Sequence, residues 1–154
     1  MIDVYGDSME SKLHQKMFNV AQSVSEVSEF PRIKIGAVVA RKHNILAVGV
    51  NQLKSHPLQK KYNKNRFTNN EDSCQHHLHA EMDALSKIRF TDELNKAVIY
   101  VFRKNNNDKL AMSRPCPGCM ARIKDVGIKK VYYTTEFGFA VEHLNKENLD
   151  EVKV

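Results

Sequence analysis

The sequence lacks several things that would assign it to a class at once. It has no apolar run near the ~18–20 residues a membrane span requires, and its opening MIDVYGDSMESK is acidic and polar, unlike a secretory signal peptide. A soluble, cytoplasmic protein with no membrane partner is the expectation. Cysteine is scarce too: three in 154 residues is an odd number and too few for a disulfide-built scaffold, and a chain of this length buries a core without such staples. No internal repeat and no low-complexity tract divides the chain, which points to a single domain over residues 1–154.

What is present is unevenly distributed. The formal net charge is +6, but in QLKSHPLQKKYNKNRF, residues 52–67, Lys54, Lys60, Lys61, Lys64 and Arg66 occur with no acid among them. Such a stretch attracts phosphates or a polyanion, and it equally suits a solvated lysine-rich loop.

Periodicity supplies the elements. Leu13, Met17, Val20, Val24 and Val27 recur at helical spacing over residues 9–29, with Ser8 as N-cap and Pro31 beyond the end. Two Val/Ile-rich runs, Ile33–Ala40 and Ile45–Val50, flank the turn-like RKHN and read as an antiparallel hairpin. Residues 52–77 show little periodicity and read as a long basic loop insertion, functional or mobile. HAEMDALSKIRF has helical spacing, AVIYVFR (97–103) is a strand, and PCPGCMARIKDVG is a helix with Pro115 before its first turn and Gly127 as its C-cap. IKKVYYTT (128–135) is the next strand, FGFAVEHL (137–144) turns back as a short antiparallel strand, and residues 145–154 form a polar tail. The order gives an α/β domain with helices covering a central sheet.

Two short motifs carry the chemistry. Cys116 and Cys119 are three apart, so on a helix they share one face. Taken alone, this C-x-x-C fits a redox pair or half of a structural zinc site. QHHLHAEMDAL, residues 75–85, places His79 and Glu81 in the first turn of another helix. His79, Cys116 and Cys119 together make a normal catalytic zinc set, three protein ligands that leave a fourth position for water. Helix N-termini favour the thiolate form that a zinc ligand must take. Glu81, beside the metal and not bound to it, suits a proton shuttle: zinc lowers the pKa of a bound water to ~7, but attack on an amidine carbon also requires protons to move to the ring and the leaving amine.

His79-Ala80-Glu81 followed by Pro115-Cys116-Pro117-Gly118-Cys119 is the H-x-E…P-C-x-x-C pattern of zinc-dependent base deaminases. With KIGAVV in the first strand, VGVNQ at the end of the second and GIKKVYY after the cysteine helix, the chain resembles the cytidine/deoxycytidylate deaminase superfamily over residues 9–135. The resemblance implies a single three-layer α/β/α domain with a mixed sheet of about five strands, a zinc cofactor, and association into a homo-oligomer. It also implies that Asn51 reaches the substrate's sugar, and that the Ala80 backbone N–H and the carbonyl near Pro115 meet the ring and its amine. Asp83 stands where many deoxycytidylate deaminases carry Asn.

The reaction implied is hydrolysis of a cytosine nucleotide, dCMP first, to the uracil nucleotide and ammonia. Lys54 and His56, soon after Asn51, are the nearest basic residues for a phosphate, with Lys60, Lys61, Lys64 and Arg66 behind them. A polymeric substrate, single-stranded DNA or RNA, would use the same segment with Tyr62 and Phe67 as stacking platforms. A third possibility, a catalytically silent zinc-stabilised binding module, has no need of Glu81. Cys74, His76 and His77 are a set suited to a second, structural zinc, or are simply polar surface at the mouth of the site.

Overall fold

The computed structural model describes residues 9–65, 77–88 and 94–144. Ser8 and the 145–154 tail therefore lie outside the described residues. The first helix, α1, spans Met9–Ser25, and the hairpin follows as β1 (Lys34–Arg41) and β2 (Asn44–Val50). β3 (Gln52–Ser55), α2 (Pro57–Tyr62) and a 3-10 turn (Asn63–Asn65) come next, and then β4 (His77–Leu78) and α3 (Ala80–Ser86). A second 3-10 turn (Leu94–Lys96), β5 (Val98–Lys104), α4 (Pro117–Asp125), β6 (Lys130–Thr135) and β7 (Gly138–His143) complete the described elements. No helix among the described residues is long and apolar enough to cross a membrane.

The central sheet has five strands in the order β2-β1-β5-β6-β7, with β3 and β4 as a separate two-stranded ladder. Among the described strands only β5 and β6 run parallel, and α4 is their crossover; β7 returns antiparallel along β6, Tyr132 opposite Val141. Alternation sorts the side chains into two layers. Val38 and Ala40 of β1, with Tyr100 and Tyr132, pack against Met17, Phe18 and Ala21 of α1. Their neighbours Ala37 and Val39, with Ile99, Val101 and Val131, face Ala80, Ala84, Met120 and Ile123 of α3 and α4. The result is the three-layer mixed-sheet architecture that the motifs imply.

Two expectations need correction. Helical spacing continues to Val27, but α1 stops at Ser25 and Val27 is 72 % exposed. The Ser25 hydroxyl bonds to the Gln22 carbonyl, three-residue turns follow, and the Ser28 hydroxyl then donates to the Asn51 carbonyl, which steers the chain off the sheet edge and into β1. The second correction concerns residues 52–77, which are not a plain loop. Pro57 sits in the first helical turn, the His56 Nδ1 caps Leu58 N, and α2 buries Gln59 and Tyr62. Two inward positions in six residues are too few for periodicity to register.

Candidate active site

The three predicted metal ligands all sit at helix N-termini on the α3/α4 side of the sheet. His79, in extended conformation, is the N-cap of α3. Glycine at 49 lets that helix lie down on β2, since a Cβ there would run into the Ala80 carbonyl oxygen and the Ala84 nitrogen. Cys116 is the N-cap of α4, with Pro117 in the first turn and its Sγ accepting from Cys119 N at 3.5 Å. Ser113 fixes the approach to it. Its hydroxyl donates to the Val101 carbonyl at 2.8 Å and accepts from Thr134 N at 2.8 Å, so Arg114–Cys116 emerge where β5 and β6 part.

These constraints bring the three predicted ligands together. The His79 Nδ1 lies 3.5 Å from the Cys116 Sγ and 3.3 Å from the Cys119 Sγ, and all three ligand atoms fall within 4.8 Å of one another. Zinc bonded tetrahedrally to one imidazole nitrogen and two thiolates needs N–S separations of about 3.6 Å. The donor set and its spacing therefore fit the ion, with one position left open. The cluster takes in no Glu81 carboxylate oxygen.

Electrostatics separate the two thiols. Cys116 accepts hydrogen bonds from Cys119 and from His79, which hold its pKa at about 4 against the opposing effect of burial. Cys119, giving its proton to Cys116 and almost wholly buried, is pushed well up. Glu81 is pushed up to about 7 by burial, an effect that the His79 charge offsets only in part and the Cys116 thiolate reinforces. Both sulfurs are free of disulfide.

Beside the cluster lies a cavity of about 340 Å³ whose wall includes His79, Glu81, Cys116, Asn51 and His77. Two cations also line it, Arg103 and Arg114, and sequence reasoning had passed over both. The Arg114 Nε donates to Glu142 Oε1 at 2.9 Å, which reinforces its positive charge. The Arg103 Nη1 donates to the Met112 carbonyl at 3.2 Å, while its buried Nε has no partner among the described residues. A signal for both existed: Arg103 shares the inward parity of Ile99 and Val101 on β5, and Arg114 directly precedes the Pro115-Cys116 pair.

The other predicted residues are scattered around this centre. Asn51 is buried on the wall with its carboxamide engaged, Oδ1 accepting from Ile35 N at 3.0 Å and Nδ2 donating to the Ile33 carbonyl at 2.7 Å. Ala80 and Pro115 are buried but are not part of the wall. Lys54 is exposed on β3 and His56 caps α2, and neither lines the cavity. His77 packs edge-on against Phe30, with ring centroids 5.4 Å apart, while Cys74, His76, Arg66 and Phe67 lie outside the described residues. Tyr62 is buried against α4, away from any stacking role.

Comparison with known proteins gives a consistent result. Residues 11–135 match the family described as "Cytidine and deoxycytidylate deaminase zinc-binding region". A probable deoxycytidylate deaminase of Caenorhabditis elegans is 27 % identical over 158 residues, which cover all of this chain and 72 % of that protein. The dCMP deaminase of cyanophage S-TIM5, solved in complex with dCMP and dUMP, superposes with a TM-score of 0.56 at 25 % identity over 83 % of each chain. Cytidine deaminase from Burkholderia pseudomallei, 16 % identical, shares the fold with a TM-score of 0.58 over 84 % of this chain and 91 % of that one.

Proposed function

The chain belongs to the cytidine and deoxycytidylate deaminase family, and from that premise we propose that it is a hydrolytic deaminase of a cytosine nucleotide, dCMP first. One observation carries the reading: a His-Cys-Cys cluster and a carboxyl group outside it share a cavity whose wall also holds two guanidinium groups. The related phage enzyme binds dCMP and dUMP, and a cavity of about 340 Å³ is in the range for small ligands.

His79, Cys116 and Cys119 would hold zinc, which when bound supplies a Lewis-acidic centre with one position open to water. Glu81 is the proton carrier. It takes one proton from the attacking water to the ring nitrogen beside the reacting carbon as the C–O bond forms, and the second to the amine, which leaves as ammonia when the C–N bond breaks. The uracil ring and ammonia together account for both water protons. Burial among protein groups keeps bulk water from competing with Glu81 for these transfers.

Arg103 and Arg114 are the groups we assign to the substrate's phosphate, in place of Lys54 and His56. Arg103 has a buried Nε–H without a partner among the described residues, and a phosphate oxygen is the acceptor such a group needs. Arg114 has donors beyond the Nε that Glu142 engages. Asn51, its carboxamide tied to β1, offers its remaining N–H and lone pair to the sugar.

The test is a panel. Zinc-loaded protein is given dCMP, CMP, dCTP, deoxycytidine and a short cytosine-containing oligonucleotide, with ammonia release measured for each. The reading expects the highest kcat/KM on a mononucleotide. Activity confined to the oligonucleotide, or none on any compound, would overturn it.

A further inference from the structure

Gln59 lies in the lysine-rich stretch that sequence reasoning treated as loop, yet no part of it is exposed to solvent. Its Oε1 accepts from the His79 backbone N–H at 3.0 Å, across 20 positions of sequence. A backbone N–H can only donate, so the atom facing it must be the oxygen, and the orientation of the amide follows. Its Nε2 donates to Asn63 Oδ1 at 2.9 Å and lies 3.8 Å from the Cys119 Sγ, slightly nearer than the Oε1 at 4.0 Å. One carboxamide thus spends its acceptor on the loop that carries one ligand and a donor on the sulfur of another.

The helix that carries it is held in place independently. The Tyr62 hydroxyl donates to Asp125 Oδ2 at 2.8 Å, and the Arg122 guanidinium sits 5.7 Å from the Tyr62 ring centre, so the end of α2 is fastened along α4. At the start of α4 contact is closer still. A Cβ at Gly118 would lie 2.7 Å from the Tyr62 carbonyl oxygen, so only glycine between the two cysteines admits α2 at this distance. A buried amide is costly unless its donors and acceptors are met, and here they are met by Asn63, by the His79 backbone and by the Cys119 sulfur.

We propose that Gln59 is a positioning residue for the metal-binding cluster, setting the His79 backbone and donating a hydrogen bond to the Cys119 sulfur; this rests on His79, Cys116 and Cys119 being the zinc ligands. An N–H donor at a thiolate draws charge from the sulfur, so Gln59 tunes the metal's electronics as well as the site's shape.

The test compares wild type with Gln59→Glu, which keeps the acceptor for His79 N but sets an oxygen against the sulfur, and with Gln59→Met, which keeps the volume and loses both bonds. Zinc affinity is measured by competition with a chelator, and the sulfur-to-metal charge-transfer band is recorded with cobalt(II) in place of zinc. Both variants are expected to bind zinc on the order of 10–100-fold more weakly and to shift the cobalt band, a signature that space-filling alone would not move. Should Gln59→Glu fail to fold, Gln59→Met decides alone. An unchanged band and an unchanged affinity in folded variant protein overturn the role of Gln59, whereas failure of wild type to bind either metal overturns the ligand assignment beneath it.

Discussion

The His79 Nδ1 and the Cys119 Sγ lie 3.3 Å apart although 40 positions of sequence separate them. Nothing local holds them there. α3 is seated by the missing side chain at Gly49, α4 starts where Ser113 ties β5 to β6, and Gln59 spans the gap from a third element. Each of the three candidate ligands is thus held by contacts that belong to the fold.

The first prediction concerns the thiols. In metal-free protein Cys116 is already thiolate at neutral pH, its pKa held at about 4, while Cys119 keeps its proton because its own pKa is pushed well up. Zinc must displace the Cys119 proton, so affinity falls as pH is lowered. The ultraviolet thiolate absorbance of chelator-treated protein should show one ionisation far below the usual thiol range, lost in Cys116→Ser. A single step for both thiols near their ordinary value would contradict the assignment.

Substrate charge is the business of the second. With the phosphate assigned to Arg103 and Arg114, replacing either by methionine would remove a charge-assisted bond worth about 1.5–3 kcal/mol. The KM for dCMP should then rise roughly 10–100-fold, with turnover of deoxycytidine unchanged. Equal losses on both substrates would mean that the two arginines support the fold instead, Arg114 through Glu142 and Arg103 through the Met112 carbonyl.

A third prediction follows from helix seating. Gly49→Val forces α3 away from β2 and with it His79, at a cost toward the upper end of the ~1–3 kcal/mol typical of overpacking. Denaturant unfolding should show that loss, and the folded fraction should bind less zinc. Wild-type stability and full zinc occupancy in the variant would refute the close approach.

Some of this was legible in the sequence and some was not, for physical reasons. His79, Glu81, Cys116 and Cys119 stand in short contiguous motifs, so their types and spacing can be read without a fold. The antiparallel return of β7 was legible in FGFAVEHL, a second apolar run that follows IKKVYYTT after a single intervening residue, too close for a helical crossover. The end of α1 was missed because the apolar period runs on past the sheet it covers, leaving Val27 in solvent. α2 was missed because its inward face is Gln59 and Tyr62, one of them fully polar. Arg103 and Arg114 stand outside both motifs and outside the basic stretch, and only the cavity groups them with Glu81.

Glu81, as the proposed proton carrier, would act beside a metal it does not bind. Glu81→Gln preserves the side chain's size and removes its proton chemistry, so zinc-loaded wild type and variant should be compared for conversion of dCMP to dUMP and ammonia, with zinc per chain measured in both. The predicted result is equal zinc and a rate lower by on the order of 10²–10⁴-fold. Equal zinc with an undiminished rate would contradict it.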